Sequence, residues 1–214
     1  EKTFSYLKQK PEVKEIILSG GDALFLSNQW LQQTIKKFSQ LKQIISIRIS
    51  SRALCFYPPR IDEKLIKILS SSEKQIWFIA HFNHPKEIQD ASQKAIKKLI
   101  KAGVPILNQT VLLKGINDQA QILKELFYKL VSLGVKPYYL FQCDPILGAV
   151  HFSLELDKAL KLWQELSFTS GLALPKFSLE LPDYGKISLD EGWKIEKAPL
   201  GWWLISPIGK KYFY

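Results

Sequence analysis

Apolar runs alternate along the chain with segments in which apolar residues recur every three or four positions. Five runs have the length and continuity of buried strands, at 13–19, 44–50, 75–80, 104–111 and 135–142. Helical periodicity occupies 28–41, 62–69, 85–102 and 118–133, with Asp62 as a predicted N-cap. Strands that alternate with helices indicate a parallel sheet, and right-handed crossovers would roll it into a barrel or part of one.

The pattern changes after Gln142. A loop at 143–150 leads to a predicted helix at 153–168 and a short strand at 177–180. A proline-led loop through Lys186 follows, and an aromatic tail predicts a small β-hairpin unit. We therefore expect a partial barrel over 1–170 and a β-rich extension over 171–214.

Charge and cysteine content narrow the class of protein. The net charge of +10 comes mainly from lysine, since only three of the 30 basic residues are arginine. Lysine spread along helix faces predicts a solvated surface rather than a nucleic-acid groove, although attraction to an acidic partner stays open. Cys55 and Cys143 are too distant in sequence for a local metal or cluster loop.

No apolar run approaches the roughly 20 residues that span a bilayer, so we expect a cytoplasmic protein without a membrane partner. The chain contains no methionine. We therefore expect that Glu1 is not the natural start and that an N-terminal piece is missing.

The first predicted strand breaks at Ser19, Gly20, Gly21 and Asp22. Adjacent glycines at a strand end let a ligand approach bare backbone, and ligands bind at the carboxyl ends of parallel strands. A tight strand-to-helix turn is the equally weighted alternative.

Polar residues also follow the later strands. His81 closes an apolar strand, where its imidazole would face a ligand, and Gln109 lies beside Asn108 in another. One of these two amides should face the interior, unless it only bonds to backbone. Asp144 ends the fifth strand and is a candidate to bind a cationic group, with an Asx-type turn as its alternative.

Lys186 is one of 27 lysines, so a surface charge is its default interpretation. The preceding Gly185 and the loop position resemble an arrangement that holds an amine over a cofactor.

Taken together, six segments resemble the lysine 2,3-aminomutase family of radical S-adenosylmethionine enzymes, which includes enzymes that make β-lysine for elongation factor P. In order, they are Ser19–Asp22, His81–Pro85, Leu107–Asp118, Pro137–Tyr139 with Gln142–Asp144, Gly148 with His151 and Phe152, and Gly185–Lys186. They follow the order and spacing of that family across nearly the whole chain.

The resemblance implies a partial (β/α)6 TIM-like barrel that binds S-adenosylmethionine, pyridoxal 5′-phosphate and a [4Fe–4S] cluster. Ser19, Gly20, Gly21 and Asp22 would receive the methionine part of S-adenosylmethionine, with His81 and Gln109 near it. Lys186 matches the lysine that binds pyridoxal phosphate covalently. Asp144 matches one of two acids that bind the side-chain ammonium of lysine, and the second falls on Glu180.

The implied activity is an isomerase reaction that interconverts L-lysine and β-lysine by migration of an amino group, with a functional link to elongation factor P. The cluster ligands are expected upstream of residue 1, so the chain as given would be inactive. We also expect a homo-oligomer.

Two further departures concern the cofactor loop. The glycine-rich run before Lys186 is reduced to Asp183-Tyr184-Gly185, which would crowd or repel a cofactor phosphate, and Glu180 stands where an aspartate is expected. A metal-dependent barrel hydrolase using His81, His84 and Asp22 and a non-catalytic barrel that binds an acidic protein remain the alternatives.

Overall fold

The structure is a computed structural model that describes residues 2–144, 146–167, 169–181 and 184–214. The chain folds into two compact units. The first comprises 1–82, 86–108 and 132–136, and the second comprises 83–85, 109–131 and 137–214. Phe168, Pro182 and Asp183, which fall in the predicted helix end and cofactor loop, lie outside the described residues.

Helices and strands alternate as the apolar pattern predicts. The helices are α1 Lys2–Lys8, α2 Asn28–Ser39, α3 Ala53–Phe56, α4 Glu63–Ser70, α5 Asp90–Lys101, α6 Ala120–Ser132 and α7 Leu156–Leu166. The strands are β1 Glu15–Leu18, β2 Ser46–Ser50, β3 Gln75–Ala80, β4 Ile106–Leu112, β5 Val135–Gln142, β6 Lys176–Leu181, β7 Gly185–Ser188, β8 Lys194–Ala198, β9 Gly201–Ile205 and β10 Lys211–Phe213.

In the first unit, β1, β2, β3 and the start of β4 pair in parallel, with Ile47 of β2 opposite Ile16 of β1 and Ile76 of β3. In the second unit, β6 pairs in parallel with β5 and antiparallel with β7. Strands β8, β9 and β10 form a separate antiparallel sheet, which extends the predicted hairpin by one strand.

Apolar side chains form a core in each unit. In the first, Leu31 of α2 and Leu65 of α4 are fully buried, as are Ile47 and Phe78 of the strands. Asp62 caps α4 as predicted, because its carboxylate accepts from Leu65 N–H at 2.7 Å. In the second unit, Phe127 of α6 and Phe177 of β6 are fully buried. The 3.6-residue and continuous apolar patterns therefore correspond to buried helix faces and strands.

The position of Lys186 differs from the prediction. It lies on strand β7, in register opposite Glu180 of β6, rather than in a loop. The four-residue strand begins with a glycine at positive φ, and its only apolar side chain is that of Ile187. Too little hydrophobic pattern was present to predict it.

Candidate functional site

The first group of site residues lies where β1, β2 and β3 of the first unit end. Ser19, Gly20 and Gly21 follow β1 and are exposed. Gly20 and Gly21 have φ of +87° and +63°, a region that favours glycine, and a Cβ on either would meet nothing within 4 Å. The backbone at this strand end is therefore open to a ligand.

Asp22 has a structural role at this edge. One carboxylate oxygen accepts from Leu24 N–H at 2.9 Å, and the other accepts from Arg52 N–H at 2.7 Å. The side chain thereby caps the short 3₁₀ turn Ala23–Phe25 and ties the end of β1 to the end of β2. Asp22 fixes the shape of the glycine turn.

The side chain of His81 lies beside a residue that the sequence did not predict as part of the site. Its Nε2 lies 2.8 Å from Ser50 Oγ, and Ser50 is the last residue of β2. Arg52, two residues further on, forms an ion pair with Glu87 at 3.3 Å. Ser50 ends the predicted strand 44–50 and Arg52 follows it, so the strand-end argument that selected His81 would have found them too.

The two amide side chains of β4, Asn108 and Gln109, differ in their surroundings. Asn108 is fully buried and binds the backbone of Phe82, accepting from its N–H at 2.8 Å and donating to its carbonyl at 3.0 Å. Asn108 is thus the backbone-bonded amide. Gln109 belongs to the second unit and is half-buried.

The second unit contains the other group, on neighbouring strands. Lys186 Nζ lies 3.9 Å from the centroid of the Phe141 ring, and Phe141 stacks on Tyr139 with centroids 5.1 Å apart. Glu180 is the direct cross-strand partner of Lys186. Residues opposite each other in an antiparallel pair project from the same face. Lys186 and Glu180 therefore share one face.

Asp144 follows the end of β5 and responds to the same charges. Displacement of water by the surrounding protein raises the pKa of its carboxyl, and the negative charge of Glu180 raises it further. The positive charge of Lys186 acts in the opposite direction on that pKa. Asp144 is therefore within electrostatic range of Glu180 and Lys186, the other two residues that the resemblance assigned to the substrate and the cofactor.

Tyr214 lies near this strand end as well. Burial, together with the charges of Asp144 and Cys143, raises the pKa of its phenol to about 12. Its backbone N–H and carbonyl pair with Trp202, which holds the tail in this position. No feature of the sequence pointed to Tyr214.

Two findings bear on metal and membrane binding. Among the described residues, no three His, Cys, Asp or Glu side chains form a group that could hold a metal ion, so His81, His84 and Asp22 do not make one. In the same part of the chain, no helix is long and apolar enough to cross a membrane.

Solved structures define the class of fold. Native anSMEcpe with bound AdoMet and Cp18Cys peptide has a TM-score of 0.59 and 15% identity, covering 77% of this chain and 50% of its own. A domain of pyruvate-formate lyase-activating enzyme from Bacteroides vulgatus has a TM-score of 0.54 and 14% identity, covering 78% of this chain and 99% of its own. The chain has the α/β fold of radical S-adenosylmethionine enzymes, as expected.

Sequence relatives define the family. L-lysine 2,3-aminomutase of Clostridium subterminale is 39% identical over 186 residues, which are 86% of this chain and 44% of that protein. The Bacillus subtilis enzyme of the same name is 37% identical over 197 residues, 91% of this chain and 42% of that protein. Glutamate 2,3-aminomutase of Clostridioides difficile is 33% identical over 186 residues, which are 86% of this chain and 44% of that protein.

This chain belongs to the lysine 2,3-aminomutase family. It spans less than half the length of these three curated relatives. No family model matches it.

Proposed function

We propose that the chain is part of a radical S-adenosylmethionine aminomutase that interconverts L-lysine and β-lysine. The observation that carries the proposal is 37–40% identity to L-lysine 2,3-aminomutases over most of the chain. The convergence of Lys186, Glu180 and Asp144 in the second unit supports it, because these residues match the family's cofactor lysine and ammonium-binding acids.

The first group of residues suits S-adenosylmethionine. The open backbone at Gly20 and Gly21 accepts a close ligand, and Ser50 and His81 offer polar atoms at the neighbouring strand ends. Asp22 holds the turn by binding Leu24 and Arg52. When bound, S-adenosylmethionine supplies the hydrogen-abstracting radical chemistry of this class. The chain's own contribution is to position it.

The sequence has two cysteines, Cys55 in the first unit and Cys143 in the second, which are too few to hold a [4Fe–4S] cluster. No residue of this chain is assigned to that group.

The second group suits pyridoxal phosphate and a cationic substrate. Lys186 is exposed, so its amine is available to an aldehyde, and Gly185 has φ of +99° with open space at its Cβ position. When bound, pyridoxal phosphate supplies the ring that stabilises an unpaired electron during amino migration. Asp144 and Glu180 bind and orient the substrate through its side-chain ammonium.

The pair of acids also favours lysine over glutamate. Each charge-assisted hydrogen bond contributes roughly 1.5–3 kcal/mol, whereas a substrate carboxylate beside Asp144 and Glu180 would be repelled. Lysine, rather than glutamate, is therefore the proposed substrate. Use of the product for elongation factor P stays a prediction.

The test uses the full-length protein, reduced and supplied with both cofactors. We expect β-lysine from L-lysine by amine chromatography, and no β-glutamate from glutamate. Lys186→Ala should abolish product and the visible absorbance of bound pyridoxal phosphate. Lys176→Ala should keep both, because Lys176 lies on the adjacent strand in an ion pair with Glu191 at 2.9 Å.

Asp144→Asn and Glu180→Gln should each raise KM for lysine about tenfold to a hundredfold. A folded protein with both cofactors loaded that forms no β-lysine would contradict the proposal and favour the non-catalytic alternative.

A further inference from the structure

Three aromatic rings join the start of β7 to the C-terminal sheet of β8, β9 and β10. The ring centroid of Tyr184, which directly precedes β7, lies 5.2 Å from that of Trp193 and 4.9 Å from that of Tyr212. The centroids of Trp193 and Tyr212 are 5.8 Å apart. All three distances fall within the roughly 4.5–7 Å at which aromatic rings attract each other. We call Tyr184, Trp193 and Tyr212 the aromatic cluster.

Tyr184 meets both other rings edge-on. The plane of its ring makes an angle of 76° with that of Trp193 and 63° with that of Tyr212. Such T-shaped pairs are favoured because the positive edge of one ring lies against the negative face of the other. Trp193 and Tyr212 are half-buried, and Tyr184 is 52% exposed. The cluster is therefore a specific contact at the surface and not a part of the core.

The C-terminal sheet presents its two rings together. Tyr212 of β10 is opposite Leu204 of β9, which is opposite Ile195 of β8, so these three side chains share one face of the sheet. Trp193 precedes Ile195 by two residues and continues the same face, because alternate residues of an extended chain point to the same side. Leu204 is fully buried. The rings that receive Tyr184 are thus fixed by strand pairing.

Strand β7 has its own anchors after Lys186. Ile187 is buried, and the Ser188 hydroxyl lies 2.7 Å from the Ser178 hydroxyl of β6. In the described part of the chain, β7 pairs with β6 alone and is an edge strand. The position of its first residues therefore depends on what holds the chain before Lys186.

Tyr184 is the anchor on that side. Gly185, between Tyr184 and Lys186, has φ of +99°, and a Cβ there would meet nothing within 4 Å, so this residue makes no side-chain contact that could hold the backbone. Tyr184 N–H donates to the Leu181 carbonyl at 3.3 Å, which is longer than the usual range of roughly 2.7–3.2 Å. The two ring contacts of Tyr184 are therefore its stronger attachment.

We propose that Tyr184 is a positioning residue for Lys186. Its ring, packed on Trp193 and Tyr212, holds the start of β7 against the C-terminal sheet and so sets where the Lys186 amine is presented to pyridoxal phosphate. The inference rests on the proposed function for the role of Lys186. It gives the C-terminal sheet a part in that role, through the aromatic cluster.

Backbone hydrogen exchange of the full-length protein tests the anchor without any cofactor. Tyr184→Leu keeps an apolar side chain but loses the ring, and the peptide that contains 185–188 should exchange about threefold to tenfold faster, because lost aromatic contacts favour local opening. Tyr184→Phe keeps the ring and should exchange as the wild type does. Unchanged exchange in Tyr184→Leu would overturn the anchor.

Reductive labelling tests the effect on the amine. Borohydride fixes pyridoxal phosphate to each lysine that has bound it, and peptide mass spectrometry then gives the label on Lys186 relative to that on Lys158, an exposed lysine of α7. The ratio should fall about threefold to tenfold in Tyr184→Leu and should recover in Tyr184→Phe. Because it compares two lysines of the same folded molecule, a general loss of stability does not imitate the effect.

Phe213→Leu is the matched control. Phe213 makes an edge contact of the same kind with Trp203 on the C-terminal sheet, with centroids 5.1 Å apart, so this variant should exchange and label as the wild type does. Trp193→Leu should reproduce Tyr184→Leu, and the double variant should match the stronger single variant, because both changes remove one contact. Single effects that multiply in the double variant would overturn the contact as their cause.

The labelling also distinguishes a failure of this inference from a failure of the proposed function. A wild-type protein with no more label on Lys186 than on Lys158 would overturn both. Strong labelling of Lys186 that is equal in the wild type and Tyr184→Leu would overturn the positioning role alone.

Discussion

Replacing Asn108 with alanine should destabilise the first unit by removing a two-bond clamp on the Phe82 backbone. Asn108 accepts from Phe82 N–H at 2.8 Å and donates to its carbonyl at 3.0 Å, and both residues are fully buried. Phe82 directly follows His81, so the same clamp fixes the strand end that carries the histidine.

The magnitude follows from the two backbone groups that lose their partner. A buried polar group left without a hydrogen bond costs about 1–3 kcal/mol. For the N–H and the carbonyl of Phe82 together, Asn108→Ala should lower the free energy of unfolding by about 2–6 kcal/mol. A typical folded domain has about 5–15 kcal/mol in total, so the loss would be large.

Two assays measure this loss. Urea denaturation followed by circular dichroism gives the change in unfolding free energy, and hydrogen exchange gives the protection of the Phe82 amide itself. Gln29→Ala is the control, because it removes an exposed amide from α2 and should change stability by less than about 0.5 kcal/mol. The reasoning would be refuted if both variants behaved alike, or if the Phe82 amide stayed protected in Asn108→Ala.

Two other predictions concern the strand ends. Asp22→Ala removes the acceptor of Leu24 N–H and Arg52 N–H and should cost about 1–2 kcal/mol, whereas Asp22→Asn keeps one acceptor oxygen and should lose less. Equal losses in thermal denaturation would argue against the two-donor role. Tyr214 has a pKa of about 12, above the ordinary 10, so its contribution to stability is present below pH 10 and is lost as pH rises through 12. Titration of tyrosinate absorbance should show one late component that Tyr214→Phe removes, and a titration identical in the two proteins would contradict the shift.

The sequence predicted long elements with strong periodicity best. The strands at 75–80 and 135–142 have the predicted bounds, and Asp62 caps its helix as expected. Strand β7 was missed because four residues with Ile187 as the only apolar side chain give no detectable period. The C-terminal unit has three strands where the aromatic tail predicted a hairpin, because β9 pairs with both β8 and β10.

The sequence by itself determined the alternation of helices and strands, and it marked strand ends where polar residues interrupt apolar runs. Those signals are local, since they depend on periodicity and on glycine, capping and proline chemistry. Strand register and tertiary contacts decided which site residues become neighbours: Ser50 lies beside His81, Lys186 lies opposite Glu180, and the Phe141 ring lies beneath the Lys186 ammonium. These partners are 31, 6 and 45 residues apart along the chain. Hydrogen bonding between strands brought them together, and no local pattern encodes which residues that pairing will place side by side.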